Sequence, residues 1–191
     1  MLNLQHIPSH DMKTRLITFC SILLLAAIGS QDMSAQLAKG RKSLGVKTGY
    51  ITLNKTATAG IELQYAFSRH FVLAPSIDYV FRNESMDGLM INLDYHGPWQ
   101  LDRNGKWYFY HILGVNYASW STYIKPDPAA GITGTDINDD VTTRVNRIGL
   151  NFGAGIDYYV SPTLKLSLQG KFNWIKDHNT GLFNLGISYV F

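Results

Sequence analysis

Few residues in this chain are of a type and spacing that could carry chemistry, and His111 is the first of them. It falls on the apolar side of an alternating run, between Phe109 and Leu113. A histidine within hydrogen-bond reach of a hydroxyl can activate it as a nucleophile. Ser119 and Ser121 are the nearest hydroxyls on this run, but they follow by eight and ten residues, too far along an extended chain for a hydrogen bond. We therefore expect His111 to pack under a neighbouring aromatic ring, with no catalytic role.

Two further patterns approach known ligand sites without matching them. Residues 152–155 begin a glycine motif of the dinucleotide-binding type, but Tyr158 follows where that motif continues with glycine, and no helix pattern comes after it. Asp136, Asp139 and Asp140 could bind Ca²⁺, but their spacing matches no EF-hand loop, so a solvated acidic loop is expected. The sequence therefore predicts no catalytic, cofactor-binding or metal site.

Composition narrows the class of protein. Hydrophobic residues make up 46% of the chain and aromatic residues 13%, but charged residues only 16%. Soluble domains usually carry about 25% charged residues, and disordered chains carry few aromatic residues. The net charge of +3 is too small and too scattered along the sequence to indicate nucleic-acid binding. A secreted β protein and a membrane protein remain.

The N-terminal region has the pattern of an export signal. Lys13 and Arg15 precede the apolar segment 16–28, which is shorter than the roughly 20 residues of a membrane-spanning helix. A polar stretch then ends in Met33-Ser34-Ala35. A basic stub, a short apolar segment and a small-residue end together predict a signal peptide over residues 1–35. A retained single-span anchor is the alternative.

The mature chain is predicted to run over residues 36–191, with translation starting at Met12 in place of Met1. Cys20, the only cysteine, lies within the signal peptide, so cleavage leaves a chain that can form no disulfide and no cysteine metal site. An exported chain that avoids cysteine is suited to a bacterial envelope, where free thiols are oxidised.

After the signal peptide, apolar and polar residues alternate with a period of two, as expected for half-buried β-strands. Eight runs show this alternation: 44–53, 60–67, 71–82, 89–96, 107–123, 148–158, 164–174 and 183–191. Turn residues separate the runs. The predicted turns on one side are 68–70, 96–106 and 161–163, and those on the other are 54–56, 82–88, 125–145 and 176–181. The sequence therefore predicts one all-β domain with eight antiparallel strands.

Alternation alone does not say which face of the sheet is inside. The polar face is rich in Gly, Ser, Asn and paired charges, which suits a narrow filled interior. Tyr and Trp concentrate near strand ends, as in the aromatic girdles of lipid-embedded barrels: Trp99, Trp107, Tyr123, Tyr158, Tyr159, Trp174 and Tyr189. A sheet can span a bilayer only if it closes on itself. We therefore predict an up-and-down transmembrane β-barrel, with a soluble lipocalin-like binder of hydrophobic ligands as the alternative.

The charges on the inward face should neutralise one another, because an unpaired buried charge costs several kcal/mol. Four acidic and four basic residues share the inward position, and we predict that they form one structural network: Lys47, Glu62, Asp78, Arg82, Asp94, Asp157, Lys165 and Lys171. A gated channel that uses these charges is the functional alternative.

The chain ends within its last strand on Gly186-Ile-Ser-Tyr-Val-Phe191. The signal peptide, the eight alternating strands and this aromatic terminal strand together resemble small outer-membrane β-barrel proteins of the OmpA/OmpX-like kind. The resemblance implies a location in a Gram-negative outer membrane, with both termini on the periplasmic side. It also implies that Tyr189 and Phe191 form an assembly signal, read by the barrel-insertion machinery after periplasmic chaperones deliver the chain.

The functional expectation is an integral outer-membrane protein with a structural or surface-contact role, no cofactor and no open pore. A narrow eight-stranded barrel leaves room inside only for side chains. Its partners are outer-membrane lipid and a surface ligand bound through loop 125–145, with no nucleic acid. The alternative is a lipid-modifying enzyme, because some eight-stranded barrels of this kind modify lipid A with a His/Ser pair.

Overall fold

Period-two alternation produces strands along the whole described chain. The structure, a computed structural model, describes residues 38–83, 85–124, 141–176 and 178–191. The strands are β1 Lys42–Ile51, β2 Thr56–Ser68, β3 Phe71–Asn83, β4 Met86–Gln100, β5 Trp107–Ile124, β6 Val141–Ser161, β7 Leu164–Ile175 and β8 Thr180–Val190. The predicted signal peptide 1–35 lies outside the described residues, as does the larger part of the predicted loop 125–145.

Each strand pairs antiparallel with its neighbours in sequence, and β1 also pairs with β8. This closed ring confirms the predicted eight-stranded antiparallel up-and-down barrel. We call the end with the connections 69–70, 101–106 and 162–163 the turn end, and the opposite end, with the connections 52–55, 84–85, 125–140 and 176–179, the loop end. No helix in the described part of the chain is long and apolar enough to cross a membrane.

Several predicted turn boundaries are wrong because turn-forming residues lie inside paired strands. In the predicted turn 82–88, for example, residues 82–83 belong to β3 and residues 86–88 to β4. β4 continues to Gln100, and Pro98 pairs with Tyr110 of β5. The β3–β4 ladder ends at Val72 opposite His96, so no β3 residue pairs with Pro98. Strands tolerate proline where the ladder no longer needs its N–H. At the loop end, residues 141–145 belong to β6 and pair with residues 120–124 of β5.

The outer face of the barrel is apolar. Large hydrophobic side chains on alternate positions of all eight strands are exposed; examples are Val46, Ile61, Ile77, Ile91, Val115, Leu150, Leu168 and Leu185. The buried side chains of the same strands are in large part polar or charged. The apolar face therefore points outward, which is the arrangement of a barrel in lipid and the reverse of a water-soluble barrel.

Several inward glycines make room for large side chains on the neighbouring strand. A Cβ added at Gly155 would lie only 2.7 Å from Cε2 of Tyr110, its partner across the β5–β6 ladder. On the outer face, Gly97 makes room in the same way for His111, its partner across the β4–β5 ladder: an added Cβ would lie 2.8 Å from Nδ1 of the imidazole ring. An aromatic ring over a cross-strand glycine fills space that a second side chain would otherwise occupy.

The Tyr110–Gly155 contact predicts the cost of adding a side chain inside the barrel. Gly155→Val should lower the free energy of unfolding by about 1–3 kcal/mol, because a crowded interior must shift to admit the new atoms. Gly170→Val is the matched control, since a Cβ at this half-buried glycine meets only ring carbons of Phe183 at 3.6 and 3.7 Å. Urea unfolding of the refolded protein in lipid vesicles measures both variants. Equal stability of the two variants would contradict the packing argument.

Candidate functional site: the barrel interior

Three buried lysines form the centre of the barrel interior. The ammonium group of Lys47 lies 3.3 Å from Glu62 Oε2 and 3.2 Å from Asp78 Oδ2, and it donates a hydrogen bond to Ser76 Oγ at 2.9 Å. Lys47 on β1 therefore links acids on β2 and β3, the two strands that follow it around the barrel.

The other two lysines lie on β7 and each has its own acid. Lys165 Nζ is 2.9 Å from Asp157 Oδ2 and also donates a hydrogen bond to the amide oxygen of Gln64. Lys171 Nζ is 2.8 Å from Asp94 Oδ2, and both side chains are at most 1% exposed. Since β4 and β7 are not neighbours in the barrel, the Lys171–Asp94 pair crosses the interior.

Amide side chains connect these ion pairs into one network, which we call the polar layer. Asn151 donates to Asp94 Oδ1 at 2.6 Å and to Asn92 Oδ1 at 3.0 Å. Asn92 in turn donates to Asp78 Oδ2 at 2.8 Å. Gln169 donates to Glu62 Oε1 at 3.2 Å, from the opposite side of the barrel. Carboxylates buried in this layer thus accept hydrogen bonds from amides as well as from lysines, which lowers the cost of keeping them charged.

Arg82 was predicted to belong to this network, and the structure places it elsewhere. Its side chain is exposed at the end of β3, and the guanidinium carbon lies 3.8 Å from the centre of the Tyr123 ring. Arg82 has the inward parity of Asp78 and Val80, but it lies where the β3–β4 register shifts, beyond the enclosed part of the barrel. The interior therefore holds seven of the eight predicted residues, as four acids and three lysines.

The sequence analysis missed an apolar cluster that fills the loop end of the interior. This loop-end plug consists of Ile51, Val80, Met90, Ala118, Trp120, Ile175 and Leu182, all at most 1% exposed. Its members occupy the face that the sequence analysis treated as polar throughout. The sequence does contain a signal for this plug, because apolar residues replace polar ones on that face near the same end of several strands.

Aromatic residues close the opposite end of the interior. Tyr108, Tyr159 and Val190 form a second buried cluster at the turn end, with the two tyrosine rings 5.5 Å apart. Next to this cluster, on the side towards the loop end, the buried His96 stacks on Tyr110 with ring centres 4.6 Å apart. The polar layer thus lies between apolar or aromatic clusters at both ends of the described barrel.

His111 has the environment expected for a packed histidine. It lies half-buried on the outer face, with its ring 5.4 Å from that of Tyr95 and 5.9 Å from that of Trp99. Ser119 is eight residues away on the same strand, which is roughly 27 Å along an extended chain. The structure therefore does not bring His111 together with either serine. No group of three or more His, Cys, Asp or Glu that could hold a metal ion occurs among the described residues.

Comparisons with known proteins agree with this architecture. The family model described as outer membrane protein beta-barrel domain matches residues 20–191. No curated protein matches this chain significantly in sequence. Among solved structures, the N-terminal β-barrel domain of Pseudomonas aeruginosa OprF is similar with a TM-score of 0.60 at 15% identity, covering 80% of this chain and 98% of that one.

Two further solved structures share the fold. Ail, the attachment invasion locus protein of Yersinia pestis, has a TM-score of 0.55 at 13% identity, covering 80% of this chain and 99% of that one. Neisserial surface protein A has a TM-score of 0.57 at 14% identity, covering 79% and 97%. At these identities the solved structures establish the shared barrel fold alone.

The Lys171–Asp94 pair predicts a large cost for removing one partner. Lys171→Met should lower the free energy of unfolding by about 3–5 kcal/mol, because Asp94 would remain buried without its cation. The double variant Lys171→Met/Asp94→Asn should recover a large part of this loss, since no unpaired charge remains. Arg82→Met is the control for a cation outside the interior, and it should change stability much less.

These variants are compared by urea unfolding in lipid vesicles. A double variant that is no more stable than Lys171→Met alone would show that the ion pair does not account for the loss. An equal effect of Arg82→Met would contradict its placement outside the polar layer.

Proposed function

Because this chain belongs to the outer membrane protein beta-barrel domain family, we propose that it is a closed, non-enzymatic envelope protein whose structural or surface-contact role is carried by its loop end. In this proposal residues 1–35 are a cleaved signal peptide with its start at Met12, and residues 36–191 form the barrel in the bacterial outer membrane. No cofactor takes part.

The observation that carries the proposal is the filled interior. The loop-end plug, the polar layer and the turn-end cluster succeed one another along the barrel axis, and each is made of buried side chains. An eight-stranded barrel is just wide enough for its own side chains. Ions would have to displace paired charges and an apolar plug to cross, which supports a barrel without an open pore.

Orientation follows from the lengths of the connections. Outer-membrane barrels have short periplasmic turns and longer extracellular loops. The turn end, which also carries Phe191, therefore faces the periplasm, and the loop end faces outward.

The loop end also has a projecting element. β5 and β6 are 18 and 21 residues long, whereas the other six strands have 10 to 15. The base of this hairpin is fixed by Tyr123, whose hydroxyl donates to Asp87 Oδ2 at 3.0 Å and whose backbone N–H donates to the Ser85 carbonyl at 2.8 Å. A hairpin anchored in this way, which carries the connection 125–140, supports a role in binding a ligand at the cell surface.

The aromatic packing of His111 and its distance from Ser119 and Ser121 support a non-enzymatic role over lipid modification. Mass spectrometry of lipid A from cells that express the protein distinguishes the two proposals. A new lipid A species that disappears in His111→Ala would favour the enzyme.

We predict that the purified protein gives no stable single-channel steps in a planar bilayer. The reason is the succession of buried layers, which ions would have to displace in order to cross. Addition of detergent alone is the control for membrane damage, and an open porin in the same bilayer confirms that steps can be detected. Large, long-lived steps from the refolded protein would refute the closed-barrel proposal.

We predict that Phe191→Ala impairs assembly in cells more than it impairs the barrel itself. The backbone of Phe191 exchanges two 2.9 Å hydrogen bonds with Lys42, and alanine retains both of them. Refolding into detergent should therefore be near normal, with at most about 1.5–3 kcal/mol lost with the side chain. The amount of protein in the outer membrane should fall markedly, because the proposed assembly signal comprises Tyr189 and Phe191.

Phe183→Ala is the matched control, since Phe183 is an equally exposed aromatic residue on β8, the strand that Phe191 directly follows: the exposed fractions are 58% for Phe183 and 55% for Phe191. It should leave the level of the protein in the outer membrane unchanged. Equal cellular yields of both variants and the wild type would remove the support for an assembly signal.

A further inference from the structure

The charges of the barrel are distributed very unevenly along its axis. Six basic residues belong to the turn end: Lys39, Arg41, Lys42, Arg69, Arg103 and Lys106. Among the described residues of this end, Asp102 is the one acid. A free carboxylate at Phe191 would offset only one of the remaining positive charges. The turn end is therefore a strongly basic rim.

The rest of the barrel does not share this excess. The polar layer holds four acids and three lysines. By sequence, the strand ends and connections of the loop end carry six basic residues, Lys55, Arg82, Lys125, Arg144, Arg147 and Lys176, and seven acidic ones, Glu84, Asp87, Asp127, Asp136, Asp139, Asp140 and Asp177. The net charge of +3 thus arises from the turn end alone.

The acid at the turn end is engaged in its own turn. The carboxylate of Asp102 accepts hydrogen bonds from the backbone N–H of Trp107 at 2.8 Å and of Lys106 at 2.9 Å. These hydrogen bonds lower the pKa of Asp102, and the bond from Trp107 has the largest effect. Asp102 therefore stays ionised at neutral pH and orders the β4–β5 turn. Its oxygens therefore already have donors, and no ion pair between Asp102 and a rim cation is required to hold it.

The rim cations lie next to exposed aromatic side chains. Arg69 lies between the exposed Phe67 and Phe71 on the β2–β3 turn, and Lys106 directly precedes the exposed Trp107. Aromatic belts of membrane proteins sit at the level of the lipid headgroups, and long basic side chains extend to that level from nearby positions. Arg69 and Lys106 are therefore placed at the depth of lipid phosphates.

We propose that this basic rim binds the headgroups of anionic phospholipids in the leaflet at the turn end. The proposal rests on the membrane location and orientation given above. Charge complementarity selects an anionic partner, and the adjacent aromatic belt selects one that is held in the bilayer. A basic group near a membrane surface contributes about 1 kcal/mol of attraction to anionic lipid, which corresponds to a roughly fivefold preference.

Tryptophan quenching by brominated lipids tests this proposal at the correct end of the barrel. Two tryptophans, Trp99 and Trp107, are exposed close to the turn end, whereas Trp120 lies inside the barrel. The substitution Trp174→Phe removes the exposed tryptophan nearer the loop end. The Trp174→Phe protein is refolded into two sets of vesicles of phosphatidylcholine and phosphatidylglycerol. The phosphatidylglycerol is brominated in one set, and the phosphatidylcholine is brominated in the other. We expect a roughly fivefold preference for phosphatidylglycerol at low salt, and its loss in 1 M NaCl.

Two matched triple variants locate the effect. Arg69→Gln/Arg103→Gln/Lys106→Gln removes half of the rim cations and should clearly lower the preference. Lys55→Gln/Arg144→Gln/Lys176→Gln removes the same number of cations from the loop end and should leave the preference unchanged. Equal quenching by the two brominated lipids, or an effect of the loop-end variant alone, would overturn the proposal.

Competition with a soluble anion distinguishes a soluble ligand of the basic rim from a lipid. Glycerol 3-phosphate carries the same phosphate chemistry outside the bilayer, so millimolar amounts should not alter the quenching. Displacement by it would show a site for soluble anions and contradict the lipid assignment. Failure of the protein to insert into vesicles at all would count against the proposed membrane function, whereas insertion without lipid preference would count against this inference only.

Discussion

Closure of the sheet is the constraint on which the rest of this structure depends. The bilayer core offers no hydrogen-bond partners, so each strand must find them on both sides. Pairing of β1 with β8 provides them here, and the ladder runs from Ser43 opposite Val190 to Ile51 opposite Leu182. With eight strands, closure also fixes the diameter. An eight-stranded barrel is just wide enough for side chains to fill its interior, and buried side chains fill it here. The period-two pattern of the sequence meets both demands, because it places apolar groups towards lipid and the remaining groups inside.

Filling a narrow cylinder requires small residues beside large ones. Gly155 opposite Tyr110 and Gly114 opposite Asp94 show how this is done, since a Cβ at either glycine would collide with the side chain of its cross-strand partner. The same arrangement leaves room for an ion pair. Gly114 keeps the space beside Asp94 Oδ1 open, and Asp94 pairs with Lys171 across the interior. Packing and electrostatics are therefore linked, and a change at an inward glycine should disturb the ion pairs as well as the volume.

The strands and the inward parity of the buried charges could be predicted because both follow from a local period of two. Parity, however, gives the direction of a side chain and not its height along the axis. Arg82 has inward parity but lies beyond the enclosed part, and Val80 on the same parity belongs to an apolar plug. Register across strands determines height, and register depends on where each turn closes. Pro98 and residues 141–145 lie in strands for the same reason, because pairing with β5 continues past local turn signals.

Closure of the barrel in lipid also limits where an excess of charged residues can lie. A charge on the outer face would face hydrocarbon, and an unbalanced charge in the polar layer would be buried without a partner. Excess charge can therefore reside only at the two rims. The loop end nearly balances its many charges within itself, whereas the turn end carries six basic residues against Asp102. Neither closure nor packing requires this asymmetry, since glutamine or serine would serve a short turn equally well. The fold permits an excess of charge at either rim, and this chain concentrates it at the turn end. The proposed binding of anionic lipid in the leaflet at that end would account for this asymmetry.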